Sequence, residues 1–458
     1  MPHHLSILLW IPAAGAIAAR LLERRERLSR AAAITSAALA AIVAAPLWFA
    51  YQPRGAEWQF ADRADVLPSM GASYSLGLDG FGLALILQTV IVGLVLAALR
   101  RPGGERTPYG SLLTLEFALL GSFMSLDLLL WLAFAILALA SATHLVRTSA
   151  PTDGSIAWLW PSTFAACALV VFGVVVLSAS FHTLSGAYSF DLRVLRPATI
   201  PSSTQAWVLA SLSIGFAGAF ASFLVRRSLV ALSCAAVVLV TAAYAFARIA
   251  LSVLPDASRA FGPALMTLAI AGSLVAALAM FAQTARTRRA AFAMVCQLGA
   301  AIAGAFSLTP DGITGSMVLA SVPVVGGLAG GRFVVAGVWP LNRLLAVLLG
   351  VSVAVAFLAL LIPFARTIRE RSRLAALVVF TALAVAVGIA LYPSPLVRSV
   401  ETSVARVVLR VSPEYAAAVA DCLSQPPPPP AETGLPPGVV MAAPCADGTK
   451  APADPHKK

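Results

Sequence analysis

Residues 157–181 read AWLWPSTFAACALVVFGVVVLSASF and contain no charged side chain. A helix of this length, rising about 1.5 Å per residue, covers the roughly 30 Å of hydrocarbon in a bilayer. A transmembrane barrel would instead show weakly alternating segments of about ten residues. Only helices and closed barrels satisfy their backbone hydrogen bonds inside lipid, so this stretch predicts a helix that crosses a membrane.

The rest of the chain has the same character. Of its 458 residues, 59% are apolar and only 11% are charged, and the mean hydropathy is +0.88. A water-soluble domain cannot present so little charge at its surface, so the sequence predicts an all-α, polytopic transmembrane helical bundle. The first apolar run, Leu5 to Ala19, has no cationic segment before it, and we interpret it as the first span rather than a cleavable signal.

Apolar runs bounded by charge, proline or glycine predict twelve spans, at residues 5–21, 31–51, 79–99, 109–126, 127–147, 157–181, 205–225, 228–253, 260–283, 289–307, 344–365 and 374–392. Residues 312–342 are ambiguous, because glycines divide them into two arms too short for separate spans, and this predicts a re-entrant hairpin. The total is about 12–14 spans in a transmembrane domain of residues 1–420, which ends in an amphipathic or partly buried segment. The Pro-rich residues 421–458 predict a disordered tail.

Arginines in the loops predict the orientation. One set of alternate loops contains fourteen of them, at positions 20, 24, 25, 27, 30, 100, 101, 106, 147, 226, 227, 286, 288 and 289, and the other contains five, at positions 54, 63, 193, 196 and 259. The richer set is expected in the cytoplasm, which places the N-terminus outside. The arginines at 366–373 belong to the same set only if residues 312–342 cross an even number of times. The tail is then outside as well.

Several function classes lack support in the sequence. The net charge of +12 comes from clusters at the ends of apolar runs, which indicates topology rather than nucleic-acid binding. Cys167, Cys234 and Cys296 lie in spans without metal-site spacing and are expected to be small core residues. Cys422 and Cys445 in the tail are either a disulfide or two free thiols. No catalytic, metal-binding or cofactor-binding motif is present.

Five ordered strings resemble the antiporter-like subunits of respiratory complex I, and most closely subunit M of bacterial NADH:quinone oxidoreductase. They are LGLDGFGL at 76–83, EFALLGSFMSLDLLL at 116–130, TAAYAFARIALSVLPDAS at 241–258, AQTARTRR at 282–289 and LYPSP at 391–395. The resemblance implies a proton-translocating membrane fold in a bacterial inner membrane, with other complex I membrane-arm subunits as partners. Flavin, iron–sulfur and NADH chemistry would belong to those partners.

The residues that carry protons in that family are replaced in this chain. The fifth-span glutamate falls on Ile136, the seventh-span lysine on Ser222 or Phe223, and the eighth-span lysine on Val240. The eleventh-span histidine falls within 321–325, and the twelfth span with its glutamate is missing. A lysine that switches its proton in response to a glutamate needs both groups. The resemblance therefore predicts a shortened fold that has lost its proton relay.

Five ionisable side chains remain as candidates. Glu116, near the middle of the fourth span, is a proton-pathway candidate, with a protonated or water-bonded carboxyl at a helix interface as the alternative. Arg248 and His144 are weaker candidates for the same pathway. We expect Arg248 to snorkel towards the outer face and His144 to be interfacial. Asp79 and Asp127 stand at helix N-termini, where we expect them to cap the helices.

Three functions are compatible with these observations. The first is a structural or accessory membrane-arm subunit that resembles subunit M. The second is an active proton or Na⁺ translocating subunit that uses Glu116 with groups from its neighbours. The third is an unrelated small-molecule transporter or a lipid-processing membrane enzyme.

Overall fold

A computed structural model describes residues 3–98, 107–149, 157–224, 229–321, 326–369 and 394–417. The predicted span at 374–392 and the tail with Cys422 and Cys445 lie outside these residues. The described helices are α1 His4–Leu21, α2 Glu26–Ala50, α3 Gly80–Ala98, α4 Tyr109–Met124, α5 Leu128–Ser149, α6 Leu159–Ser185, α7 Leu192–Leu195, α8 Ser202–Leu224, α9 Leu229–Ala245, α10 Leu251–Val253, α11 Pro255–Phe281, α12 Arg286–Phe306, α13 Pro310–Ser321, α14 Gly326–Val338, α15 Arg343–Arg369 and α16 Ser394–Val411.

Long apolar helices dominate the part of the chain that the structure describes. Within it, eight helical runs are long and apolar enough to cross a membrane, namely α1, α2, α3, α5, α6, α8, the run Ser233–Val253 and α11. Three shorter apolar helical segments accompany them: α4, Val295–Phe306 of α12 and Arg343–Ala356 of α15. The chain is therefore a polytopic helical membrane protein.

The helical bundle also contains one small sheet. A two-stranded antiparallel sheet, β1 Gln59–Leu67 and β2 Ala72–Leu78, stands between α2 and α3. Gly71 in its turn has a φ of 66°, and a Cβ there would collide with the Tyr188 carbonyl group. The sequence does not predict the sheet from long apolar runs, because its two short strands lie in a polar connection.

The sheet joins the N-termini of several helices. The Asp62 carboxylate in β1 accepts hydrogen bonds from the backbone N–H groups of His3 (2.9 Å) and Ser6 (3.1 Å) at the start of α1. The Ser75 carbonyl in β2 accepts from Leu126 N, just before α5 (2.8 Å). We call this end of the bundle the hairpin face.

Helices α13 and α14 form a tight antiparallel pair within residues 312–342. A Cβ on Gly315 would lie 2.6 Å from Val334 N, and one on Gly330 would lie 2.9 Å from Leu319 N. Their described parts have 12 and 13 residues, which corresponds to about 18–20 Å of helix each. The number of membrane crossings over 312–342 remains a prediction.

The C-terminal end of α13 lies beside the middle of α3. The Gln88 amide, oriented to suit its neighbours, donates to the carbonyl oxygens of Ala320 (3.2 Å) and Ser321 (3.3 Å). A half-buried side chain of α3 therefore binds the last described turn of α13.

Helix α16 packs across the hairpin face. Its buried valines recur at the spacing of one helical face, at positions 400, 404, 407, 408 and 411. Ser403 Oγ accepts a hydrogen bond from Gly80 N (3.2 Å), and a Cβ on Gly80 would collide with the Ser399 carbonyl. The glycine at the start of α3 thus allows α16 to approach the backbone directly.

Candidate functional site

A buried ion pair joins two of the predicted site residues. After α9, residues Phe246–Ala250 form a π-helical segment, a local geometry that recurs at functional sites. Its Arg248 has 0% exposure, and its Nε lies 3.6 Å from Asp79 Oδ2 at the start of α3. The prediction that Arg248 snorkels to the outer face is wrong. Asp79 is within reach, so the guanidinium finds its counter-charge inside the protein.

Aromatic and carbonyl groups complete the environment of Arg248. Its Nη1 donates to the Phe123 carbonyl (2.9 Å), which also accepts from the Tyr244 hydroxyl (2.8 Å). The guanidinium carbon lies 4.6 Å from the Trp58 ring centroid and 5.1 Å from that of Tyr244. Both distances allow a cation–π attraction, which is strongest where water is excluded.

Trp58 extends this arrangement to the surface. It lies in the connection between α2 and β1, and the Arg196 guanidinium is 5.0 Å from the same ring. Arg196 also forms an ion pair with Glu57. Sequence reasoning missed Trp58, Glu57 and Arg196 as parts of one site, because nothing in a loop sequence specifies which helix it covers. The lone arginine in an apolar span was the available signal that an acid must be near.

Asp79 has a second role. Its Oδ1 accepts a hydrogen bond from Gly82 N (2.7 Å), so it also caps α3. Tyr51, at the end of α2, lies close enough to feel its charge. Burial, and then the negative charge of Asp79, raise the pKa of the Tyr51 hydroxyl to about 12. The phenol is therefore neutral at physiological pH.

Asp127 caps α5 and connects it to the sheet. Its Oδ1 accepts from Leu129 N (2.9 Å) and Leu130 N (3.1 Å), while Oδ2 accepts from Ser73 N (2.9 Å). All its hydrogen bonds come from groups that hold a helix end and a strand together. This pattern assigns it a structural role.

Glu116 has no polar partner among the described residues. It is 3% exposed, and neither carboxylate oxygen makes a hydrogen bond. The carboxyl group lies against Gly93 of α3, where an added Cβ would be 2.6 Å from Oε2. An ionised carboxylate in such a place is costly. The geometry favours a neutral carboxyl at a helix interface.

His144 is exposed on α5, and its Nδ1 lies 3.0 Å from Ser111 Oγ of α4. Within the described ranges, Glu116, Arg248 and His144 share no hydrogen bond or ion pair with one another. The structure therefore does not connect the three pathway candidates into one chain of proton carriers. Nor do the described residues contain a group of histidine, cysteine and acidic side chains that could hold a metal ion.

An apolar cavity lies between α5, α6, α8 and α9. It has a volume of about 50 Å³ and is lined by Leu132, Ala135, Ile136, Ala138, Leu139, Ala142, Ala166, Cys167, Val170, Gly215, Phe216, Ala219, Val237, Val238 and Thr241. Ile136, which the resemblance aligns with the family glutamate, is in the wall and is 38% exposed. The Thr241 hydroxyl already donates to the Val237 carbonyl (2.9 Å). Nearby, Phe223 is fully buried.

Comparisons of sequence identify related proteins. No protein-family model matches the chain. It is 27% identical over 365 residues to NADH-quinone oxidoreductase subunit M of Mycobacterium tuberculosis, an alignment that covers 68% of this chain and 66% of that protein. It is 28% identical over 289 residues to NAD(P)H-quinone oxidoreductase chain 4 3 of Picosynechococcus, covering 60% and 52%. The alignments thus span about half to two thirds of these relatives.

Comparisons of structure agree on the fold. A chain of respiratory complex I from Thermus thermophilus matches with a TM-score of 0.60 at 20% identity, covering 90% of this chain and 96% of that one. A chain of the Mrp complex from Dietzia matches with a TM-score of 0.70 at 15% identity, covering 91% and 99%. The chain is therefore similar in sequence to NADH-quinone oxidoreductase subunit M and chain 4, and it shares its fold with chains of respiratory complex I and the Mrp complex.

Proposed function

We propose that the chain is a membrane-arm subunit of a complex I-like NADH:quinone oxidoreductase and that its role there is structural rather than proton-translocating. It would pack beside pumping subunits in a bacterial inner membrane, with both termini in the periplasm. The names of its bacterial relatives and the arginine asymmetry of its loops support this location.

The observation that carries the proposal is the apolar cavity around Ile136. A proton relay through the membrane needs groups or water that accept protons. At this position the chain offers an apolar wall, and its polar members are a cysteine thiol and a threonine hydroxyl that already bonds its own helix. Water has few partners in such a cavity and is not held there.

One observation favours the alternative, active translocation of protons or Na⁺. Glu116 is a buried carboxyl without a hydrogen-bond partner in the described part of the chain. Such a group in a membrane is a functional hypothesis by default. A neighbouring subunit could supply the missing cation.

The test uses the intact complex from the native organism. A tagged copy of the chain is expected to copurify with NADH:quinone oxidoreductase activity. In membrane vesicles, Glu116→Gln is expected to leave the number of protons pumped per NADH unchanged. The matched control is Asp65→Asn, the same acid-to-amide change on the exposed sheet.

Two results would contradict the proposal separately. Purification without any NADH:quinone oxidoreductase activity would remove the assignment to a complex. A lower proton yield in Glu116→Gln but not in Asp65→Asn would keep that assignment and establish the translocating alternative.

A further inference from the structure

Four arginines from three segments converge at the hairpin face. Arg196 follows α7, Arg248 lies in the π-helical segment, and Arg406 and Arg410 stand one turn apart on α16. Residues four positions apart on a helix are neighbours, so the last two present like charges side by side. We call these four residues the arginine cluster.

The acids of the described chain balance only half of this cluster. Arg196 pairs with Glu57, and Arg248 pairs with Asp79. Arg406 and Arg410 have no such carboxylate partner in the same described ranges and donate instead to backbone carbonyls. Arg406 donates to the Gly55 carbonyl (3.4 Å), and Arg410 to those of Ser252 (3.0 Å) and Arg196.

Burial and a neighbouring positive charge both act on Arg410. Burial, and then the nearby charge of Arg196, lower the pKa of its guanidinium, while Glu57 acts in the opposite direction. Like charges held this close in a partly buried place repel one another. An anion at this position would relieve the repulsion.

Unused donors point to the same conclusion. Arg196 Nε and the Nε and Nη2 of Arg248 are buried and make no hydrogen bond within the described residues. Arg248 is fully buried. A guanidinium has five N–H donors, and leaving buried ones unpaired is unfavourable. The cluster therefore has both charge and donors in excess of the acceptors around it.

We propose that the arginine cluster binds a phosphate-bearing anion, namely the headgroup phosphate of an anionic phospholipid in the leaflet at the hairpin face. The planar fork of arginine matches two phosphate oxygens at once. The cluster lies at the ends of membrane helices, the level at which lipid phosphates lie. Arg406 and Arg410 are half-buried, so the phosphate can approach from the surface. This inference does not depend on the proposed function.

The test measures the melting temperature of the full chain in neutral detergent after removal of bound lipid. Phosphatidylglycerol in mixed micelles is expected to raise it, while phosphatidylcholine at the same concentration has a much smaller effect. Inorganic phosphate is the third probe. If inorganic phosphate raises the melting temperature as much as phosphatidylglycerol does, the proposal that the bound phosphate belongs to a lipid is wrong.

Arginine variants test whether the arginine cluster is responsible for the rise in melting temperature caused by lipid. In the double variant Arg406→Gln, Arg410→Gln, the phosphatidylglycerol-dependent rise is expected to disappear, and lipid affinity measured by titration falls about tenfold or more. Glutamine keeps an N–H donor for the backbone carbonyls. Because the readout is the shift caused by lipid, a lower starting stability does not mimic the result.

The control is Arg398→Gln, which removes an exposed arginine from the same helix outside the cluster. It is expected to retain the lipid effect. If Arg398→Gln loses the effect to the same degree as the double variant, or if the double variant retains it, the proposed site is wrong.

Discussion

The hairpin face and the apolar cavity between α5, α6, α8 and α9 differ in whether they contain buried charge. At the hairpin face, Arg248 is completely buried, yet it has a counter-charge in Asp79, an acceptor in the Phe123 carbonyl and a flanking indole in Trp58. The cavity that Ile136 lines has an apolar wall instead. A buried charge is tolerated where other segments supply partners for it. The difference is that the first region pairs its buried charge, whereas the side chains that line the second contain no charge.

The largest expected effect comes from removing the cation of the hairpin face. Arg248→Met leaves the Asp79 carboxylate buried without its counter-charge. The free energy of unfolding is expected to fall by about 3–5 kcal/mol, the usual cost of removing one partner of a buried pair. Denaturant unfolding of the purified chain in detergent measures it.

A second variant separates loss of the pair from loss of packing. Adding Asp79→Asn to Arg248→Met removes the orphaned charge, and asparagine still caps the helix. The double variant is expected to recover a large part of the stability. Equal destabilisation of the single and double variants would show that the ion pair is not what holds this region.

The second prediction places a charge in the apolar region. Ile136→Glu places a carboxylate at the position that the resemblance aligns with a family glutamate, but the cavity wall offers it no cation. The free energy of unfolding is expected to fall by about 2.5–3.5 kcal/mol, as for an acidic side chain in the centre of a span.

Ile136→Gln serves as the uncharged control and is expected to cost less in the same unfolding measurement. A stable Ile136→Glu variant that also increased the proton yield of the complex would mean that the cavity still contains a usable pathway. The contrast between the two regions would then be wrong.

The smallest of the three expected effects comes from removing the Trp58 ring at the hairpin face. Trp58→Ala removes the indole that lies 4.6 Å from Arg248 and 5.0 Å from Arg196. Loss of the cation–π attraction alone is expected to cost about 1–2 kcal/mol, measured as the difference between Trp58→Ala in the parent and in Arg248→Met. If Trp58→Ala lowers the free energy of unfolding by the same amount in both backgrounds, Trp58 and Arg248 are not coupled.

The sequence predicted the membrane fold well because its signal is local. An apolar run long enough to cross lipid can be read directly from the residues, as at 157–181, where the structure has α6. Helix caps are similarly local, and Asp79 and Asp127 both accept hydrogen bonds from N–H groups in the first turn of the following helix. The sheet at 59–78 was missed because its residues form neither a long apolar run nor a regular alternation.

The sequence does not predict the partner of Arg248. Its neighbours in sequence are apolar, so snorkelling to the surface was the reasonable expectation. Asp79, Phe123 and Trp58 come from three distant segments, and their meeting around one guanidinium depends on how the helices pack. No local pattern contains that information.

The sequence by itself determined that the chain is a helical membrane protein, that it resembles an antiporter-like subunit and that the residues at positions 136 and 240 are apolar. These properties depend on composition and on which residue stands at each position. Tertiary structure alone decided that Arg248 is paired rather than exposed, that Glu116 faces Gly93 and that Ile136 borders a cavity. The physical reason is that the free energy of a buried charge depends on partners brought together from distant parts of the chain.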